Sequence, residues 1–186
     1  LFDVSLKMFL RDNFIHADLH AGNIMFSERP SKVPGSTNTE ACLTLLDAGL
    51  TAHLDQDTRE IFSLFLVAMC RMEAQTISEC LVRFNKYKER RPRTELQMKK
   101  LEGMVQSIID EFSVDGRSRL DGGPVNVGYV MGGIMHQLPK YHIKLKGDVA
   151  FSVCVISLVE GLIRELNPEF DMFAAVRWWK ILPYLS

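Results

Sequence analysis

Asp18 and Asn23 stand five residues apart, just before the apolar run Ile24-Met25-Phe26. Asp47 follows a second apolar run, Leu43-Thr44-Leu45-Leu46, and precedes Ala48-Gly49. An Asp, an Asn and a second Asp carried at the ends of two short strands suit phosphoryl transfer. Mg²⁺ is a hard cation that takes oxygen ligands, commonly one or two protein carboxylates together with phosphate oxygens. Asp47 can supply such a carboxylate. Asn23 can supply a neutral carbonyl oxygen, which completes the shell without adding negative charge beside a triphosphate. Asp18 is spaced to accept or orient the hydroxyl proton of an acceptor. Phosphoryl transfer asks a protein mainly for positioning and charge neutralisation, so three such groups go far. Gly49 permits a tight turn that re-aims the chain after Asp47.

Two other readings of the same residues stand beside this one. Asp18 and Asn23 are also ordinary turn or helix-cap residues. His16, Asp18 and His20 alternate as H-x-D-x-H, a pattern that brings three side chains near one metal ion in some hydrolases. That reading needs further ligands, and the remaining histidines, His53, His136 and His142, fall in no metal-ligand cluster. His16 is read as a brace for the catalytic loop, and His20 lies two residues after Asp18.

Several elements are expected to position these groups. Phe2, Leu6, Phe9 and Leu10 recur at helical spacing within Leu1–Asn13, a helix leading into the loop. Ile24–Phe26 and Leu43–Leu46 read as short strands. Residues 27–42 between them hold Pro30, Pro34, Gly35 and a Ser/Thr/Asn run, and are expected to form a long polar hairpin-loop insertion. Past Thr51 the pattern turns helical: Asp57–Met72, Ala74–Tyr87 and Thr94–Phe112. Lys86–Arg93 concentrates basic residues, read as a solvated helix end, with a phosphate- or membrane-binding patch as the alternative. Ser113–Pro124 reads as a loop.

Pro124–Leu138 mixes Val, Met and Ile with Gly128, Gly132 and Gly133, small residues that let helices pack closely. Asp148 looks like an N-cap, and Val149–Ile163 like a buried core helix, too short at about fifteen residues for a membrane span of roughly twenty. Glu160 and Arg164 are four apart and can pair on one helix face as a structural clamp. Phe170–Leu185 places Trp178, Trp179 and Tyr184 beside Arg177 and Lys180. That composition suits packing on the core, or contact with a membrane interface.

His16-Ala-Asp-Leu-His-Ala-Gly-Asn23 and Asp47-Ala-Gly49 resemble the H-R-D-x-x-x-x-N and D-F-G segments of protein kinases. More closely, H-A-D-L-H-A-G-N-I with L-L-D-A-G, together with Glu160-Gly161-x-x-Arg164 before Pro168, resembles the aarF-domain (UbiB/ADCK) atypical kinases, in the D-A-G form of a mitochondrial branch. Ala21 stands where that family usually has Pro, and Ala48 where protein kinases have Phe. The resemblance implies an α+β, mainly α-helical fold: the C-terminal lobe of a protein-kinase-like fold over residues 1–186, with one small β-hairpin carrying the active-site loop. It implies ATP and Mg²⁺ as cofactors, Asp18 as the catalytic Asp, Asn23 and Asp47 as metal ligands, and His16 and Gly49 shaping the nucleotide site. It also implies a role in coenzyme Q biosynthesis or mitochondrial lipid metabolism, at the inner membrane or on its matrix side. The acceptor is then a lipid- or quinone-related compound.

The chain carries no G-x-G-x-x-G or Walker pattern, and neither the K-x-G-Q helix nor the Ala-rich loop of the family's small lobe. It is therefore expected to be part of a longer protein and to turn over little ATP by itself. There is no A-P-E, and few residues separate Asp47 from the next helix, which argues against a protein substrate. A pseudokinase scaffold and a small-molecule phosphotransferase of the aminoglycoside or choline type remain the alternatives. At 186 residues and 47% hydrophobic, the chain can build one real core, and a net charge of −1 gives no global field for nucleic acid. Cys42, Cys70, Cys80 and Cys154 are scattered, the usage of free thiols rather than of a disulfide frame.

Overall fold

The computed structural model describes residues 1–32, 37–87, 92–114, 117–118 and 123–178, with no side-chain description at 114, 177 and 178. The described chain is mainly helical, with three small antiparallel two-stranded ladders. Helix α1 (Phe2–Leu6) continues as a π-turn through Lys7–Arg11. Then follow β1 (Ile15–His16), a 3₁₀ turn (Ala21–Asn23), β2 (Ile24–Pro30), β3 (Thr39–Leu45) and β4 (Thr51–Ala52). The helical body is α2 (Gln56–Arg71), α3 (Ala74–Arg83), α4 (Glu95–Phe112), α5 (Val127–Gln137), α6 (Gly147–Leu166) and α7 (Met172–Trp178). The short pair β5 (Ser113–Val114) and β6 (Arg117–Ser118) follows α4.

Local chemistry sets the helix ends. Asp55 caps α2: its carboxylate accepts the Thr58 N–H at 2.9 Å and the Thr58 hydroxyl at 2.6 Å. Thr94 and Gln97 form a capping box at the start of α4. The core gathers around Phe9, Phe62, Phe65 and Phe84, whose rings stand 4.9 to 5.8 Å apart. Neighbouring aromatic rings in tilted or edge-on contact attract one another beyond simple burial. A Cβ on Gly133 would stand 3.0 Å from Ile108 Cγ2, so the close approach of α5 to α4 needs that glycine. Gly132 has no such neighbour, so close packing explains one glycine of the pair and not the other.

Several expectations change. The hairpin strands run seven residues each, from Ile24 opposite Leu45 out to Pro30 opposite Thr39. Residues 27–30 and 39–42 of the stretch read as a polar loop are thus ladder. Thr, Glu and Arg pair readily on a ribbon that is solvated on both sides, so polarity was a poor guide to loop there. Among the described residues the hairpin is also one of three ladders rather than the single one expected. Helix α6 starts at Gly147 after Lys146, so Asp148 lies in its first turn and is not the cap. Nor is α6 buried all round. Val149, Ser152, Val153, Val159 and Glu160 are buried, while Cys154 and Leu158 are exposed. Val155 and Ile156 border clefts shared with α1, α2 and α7. Helix α3 ends at Arg83 rather than Tyr87. Lys88 to Arg91 of the basic run, and residues 179–185 of the terminal segment, lie outside the described residues.

Glu160 and Arg164 form the clamp their spacing suggests. Glu160, 1% exposed, accepts the N–H groups of Val127 and Gly128, both at 3.0 Å, at the start of α5. Arg164 Nε stands 3.3 Å from Glu160 Oε1 as an ion-pair contact outside hydrogen-bond geometry, while Nη2 donates to the Pro124 and Val125 carbonyls. Burial pushes the Glu160 carboxyl above its ordinary range, and the two N–H groups and Arg164 oppose that push.

Candidate active site

Three crossings bind the loop that carries Asp18 to the segment that carries Asp47. Outermost, Asn13 acts as a side-chain rung: its Nδ2 donates to the Leu54 carbonyl at 2.7 Å, and its Oδ1 accepts the Leu54 N–H at 3.0 Å. Next, β1 pairs with β4, Ile15 opposite Ala52 and His16 opposite Thr51, and the Ala17 N–H reaches the Leu50 carbonyl at 2.9 Å. Innermost, the Leu46 N–H donates to the Asn23 carbonyl at 2.8 Å. That bond sets Asn23 across from the residue that precedes Asp47. Neighbouring structure supports the frame. Arg59 of α2 donates to the carbonyls of Leu10 and Arg11, where the π-turn hands the chain to the loop.

His16 lies at the centre of these crossings and is 3% exposed. The Asp18 N–H points at its Nδ1 at 3.4 Å, which leaves Nε2 to carry the proton and donate to the Leu46 carbonyl at 3.2 Å. One buried ring therefore touches both the Asp18 loop and the residue before Asp47. Both ring nitrogens are used within the protein, so His16 has none left to hold a metal. Among the described residues no group of three His, Cys, Asp or Glu side chains is placed to hold an ion.

Asp18, Asp47 and Gly49 are exposed and Asn23 is half-buried. Asn23 Nδ2 donates to the Asp18 carbonyl at 2.9 Å and lies 3.5 Å from Asp18 Oδ2. With the amide nitrogen so used, Asn23 Oδ1 has no partner among the described residues. Asp47 has φ 52°, a left-handed conformation that Asp tolerates better than most residues. Its Oδ1 accepts the Gly49 N–H at 3.2 Å, and its second oxygen has no partner among the described residues. A Cβ on Gly49 would stand 2.9 Å from that Oδ1. Gly49 thus serves by being small beside the carboxylate, and the residue with the unusual backbone is Asp47 itself.

An unpartnered amide oxygen and an unpartnered carboxylate oxygen are hard donors at adjoining positions of two hydrogen-bonded segments. That donor set fits a hard divalent cation such as Mg²⁺. Exposure leaves room for phosphate oxygens and water to fill the rest of a shell. Asn13 escaped the sequence reading although it fastens the entry of one loop to the exit of the other. Its signal was slight: an Asn just ahead of an apolar pair, in a position that a turn residue fills equally well. Two apolar clefts lie away from this site, between α2 and α5–α7 and between α1, α2, α6 and α7.

Residues 1–81 match the family model of the ABC1 atypical kinase-like domain. A mitochondrial ABC1 family protein of Saccharomyces cerevisiae is 21% identical over 92% of this chain and 30% of its own length. A mitochondrial ABC1 family protein of Schizosaccharomyces pombe is 24% identical over 90% of this chain and 28% of its own. The probable protein kinase UbiB of Xylella fastidiosa is 23% identical, with the same coverage of both chains as the Schizosaccharomyces protein. The chain spans about 30% of the length of these curated relatives. No solved structure matches it.

Proposed function

We propose that this chain, a relative of the ABC1/UbiB atypical kinases, forms the metal-binding half of an ATP-dependent phosphoryl-transfer site within a longer protein. Its architecture is then the C-terminal lobe of a kinase-like fold, with the β2–β3 hairpin carrying the active-site loop. Asp18 accepts or orients the acceptor proton, and Asn23 and Asp47 hold Mg²⁺, which neutralises phosphate charge when bound. His16 braces the two segments, and Gly49 leaves room for the Asp47 carboxylate. The carrying observation is the frame that sets Asn23 across from Leu46 and leaves one oxygen of Asn23 and one of Asp47 without a partner among the described residues.

Only Leu50 to Leu54 separate Gly49 from the Asp55 cap of α2. So short a connection offers little platform for a protein substrate and favours a small molecule, a lipid-linked compound or water as acceptor. The relatives carry the terms mitochondrial and UbiB in their names. They support a mitochondrial setting and, through the resemblance, a role in coenzyme Q biosynthesis or lipid metabolism. Among the described residues no helix is long and apolar enough to cross a membrane. The test is Mg²⁺-dependent ATP binding and hydrolysis by the full-length protein beside its Asp47→Asn variant. Loss of the Mg²⁺-dependent part in the variant supports the reading. Absence of nucleotide binding in both overturns it and leaves a scaffold that acts through partners.

A further inference from the structure

His20 has no place in the ligand set just described, yet its ring is held in a definite orientation. Nδ1 accepts the Gly22 N–H at 3.1 Å, which puts the ring proton on Nε2. Gly22 provides the seat, because a Cβ there would stand 3.0 Å from His20 Cε1 and 3.1 Å from Nδ1. Held this way, Nε2 faces Asp18 Oδ2 at 3.8 Å. That is too long for a direct hydrogen bond, and it is a span that one oxygen atom bridges, at about 2.8 Å from each side. Both side chains are about half exposed, 53% for His20 and 50% for Asp18, so an oxygen can reach the gap from solvent.

Resting on the phosphoryl-transfer reading above, we propose that His20 is a catalytic hydrogen-bond donor that holds the acceptor oxygen jointly with Asp18. Nε2–H donates to one lone pair of that oxygen, Asp18 Oδ2 accepts its proton, and the second lone pair is free to attack. In the transfer, the acceptor oxygen–phosphorus bond forms. The bond from the terminal phosphorus to the bridging oxygen breaks, its electron pair leaving on the nucleoside diphosphate, and the acceptor proton passes to Asp18. Two groups fixed on either side of the nucleophile remove its freedom to approach the phosphorus at the wrong angle.

The rival role for His20 is a cap. It precedes the 3₁₀ turn Ala21–Asn23, and its ring accepts a hydrogen bond from that turn. Two variants separate the roles. His20→Asn keeps an oxygen near the Nδ1 position to accept the Gly22 N–H, and has no donor at the Nε2 position. His20→Gln reaches the Nε2 position with an amide N–H. The experiment measures Mg-ATP hydrolysis by the full-length protein, with water as the acceptor, and the urea unfolding midpoint of each variant. The expected result is a kcat about tenfold or more lower in His20→Asn, with KM for ATP and the midpoint unchanged and part of the loss recovered in His20→Gln. Wild-type kcat in His20→Asn, or an equal loss in both variants, overturns the proposal. Asp18→Asn is measured alongside. If its turnover collapses while His20→Asn stays at the wild-type rate, only the role of His20 falls. If turnover survives in Asp18→Asn, or the wild type has none, the phosphoryl-transfer reading falls with it.

Discussion

Two carboxylates in this chain sit in opposite settings. Glu160 is buried where α6 meets the start of α5, and its negative charge is met by two backbone N–H groups and a guanidinium. Asp47 stands in solvent on a loop between two strands, with one backbone N–H for a partner. A buried charge has to be answered by the protein itself, because the interior offers no water to do it. An exposed charge with a spare oxygen is left for something that arrives. The first arrangement builds a joint, and the second leaves a donor oxygen open to solvent.

The comparison can be broken by removing each carboxylate. Glu160→Ala is expected to have the largest effect, about 3–5 kcal/mol of unfolding free energy, because it leaves the largely buried Arg164 without its counter-charge and the Val127 and Gly128 N–H groups without an acceptor. Urea denaturation measures it, and a loss below about 1 kcal/mol would mean that the clamp is ornamental. Asp47→Asn should do the reverse. Asn tolerates the left-handed conformation and still offers an oxygen to the Gly49 N–H, so the unfolding midpoint should hold. Mg²⁺-dependent turnover of the full-length protein should drop about a hundredfold or more.

Asp55 lies between these extremes, half-exposed yet engaged. The Thr58 hydroxyl and N–H, with help from Lys146, hold its carboxyl below the ordinary range. Asp55→Ala should cost about 1 kcal/mol at neutral pH, the usual worth of a cap. A carboxyl whose value is lowered by folding lends stability above its unfolded value and loses it as pH falls through the folded one. The gap between wild type and variant should therefore narrow as pH drops below about 4. A gap that stays constant down to the acid limit would break that assignment.

The smallest effect is expected on the hairpin. Phe26 is 64% exposed and pairs across the ladder with Leu43, itself partly exposed. Phe26→Ser in the isolated chain should change the unfolding free energy by about 0.5 kcal/mol or less. A loss near that of a core aromatic would show that this face is covered in solution.

The short-range features were legible in the sequence because they depend on neighbours along the chain. The 3.6-residue spacing marked α2 and α4, the four-residue spacing of Glu160 and Arg164 marked a helical pair, and Asp18, Asn23 and Asp47 stood out by type and position. The strands beyond Phe26 and Leu43 did not, because pairing between two solvated segments leaves no apolar alternation to read. The start of α6 was misplaced by two residues, since Asp148 is as ordinary in a first turn as it is at a cap.

The sequence by itself determined which residues are the candidates for chemistry and roughly where the helices run, since residue type, propensity and periodicity are properties of single residues and their neighbours. Tertiary structure alone decided how the two loops meet. Asn13 fastened to Leu54, His16 to Leu46, and Asn23 across from Leu46 are contacts over 30 to 41 residues for the first two pairs, and over 23 for the last. Nothing in the local pattern encodes such contacts. They exist because the helical core brings the two segments side by side, where each backbone group must find a partner.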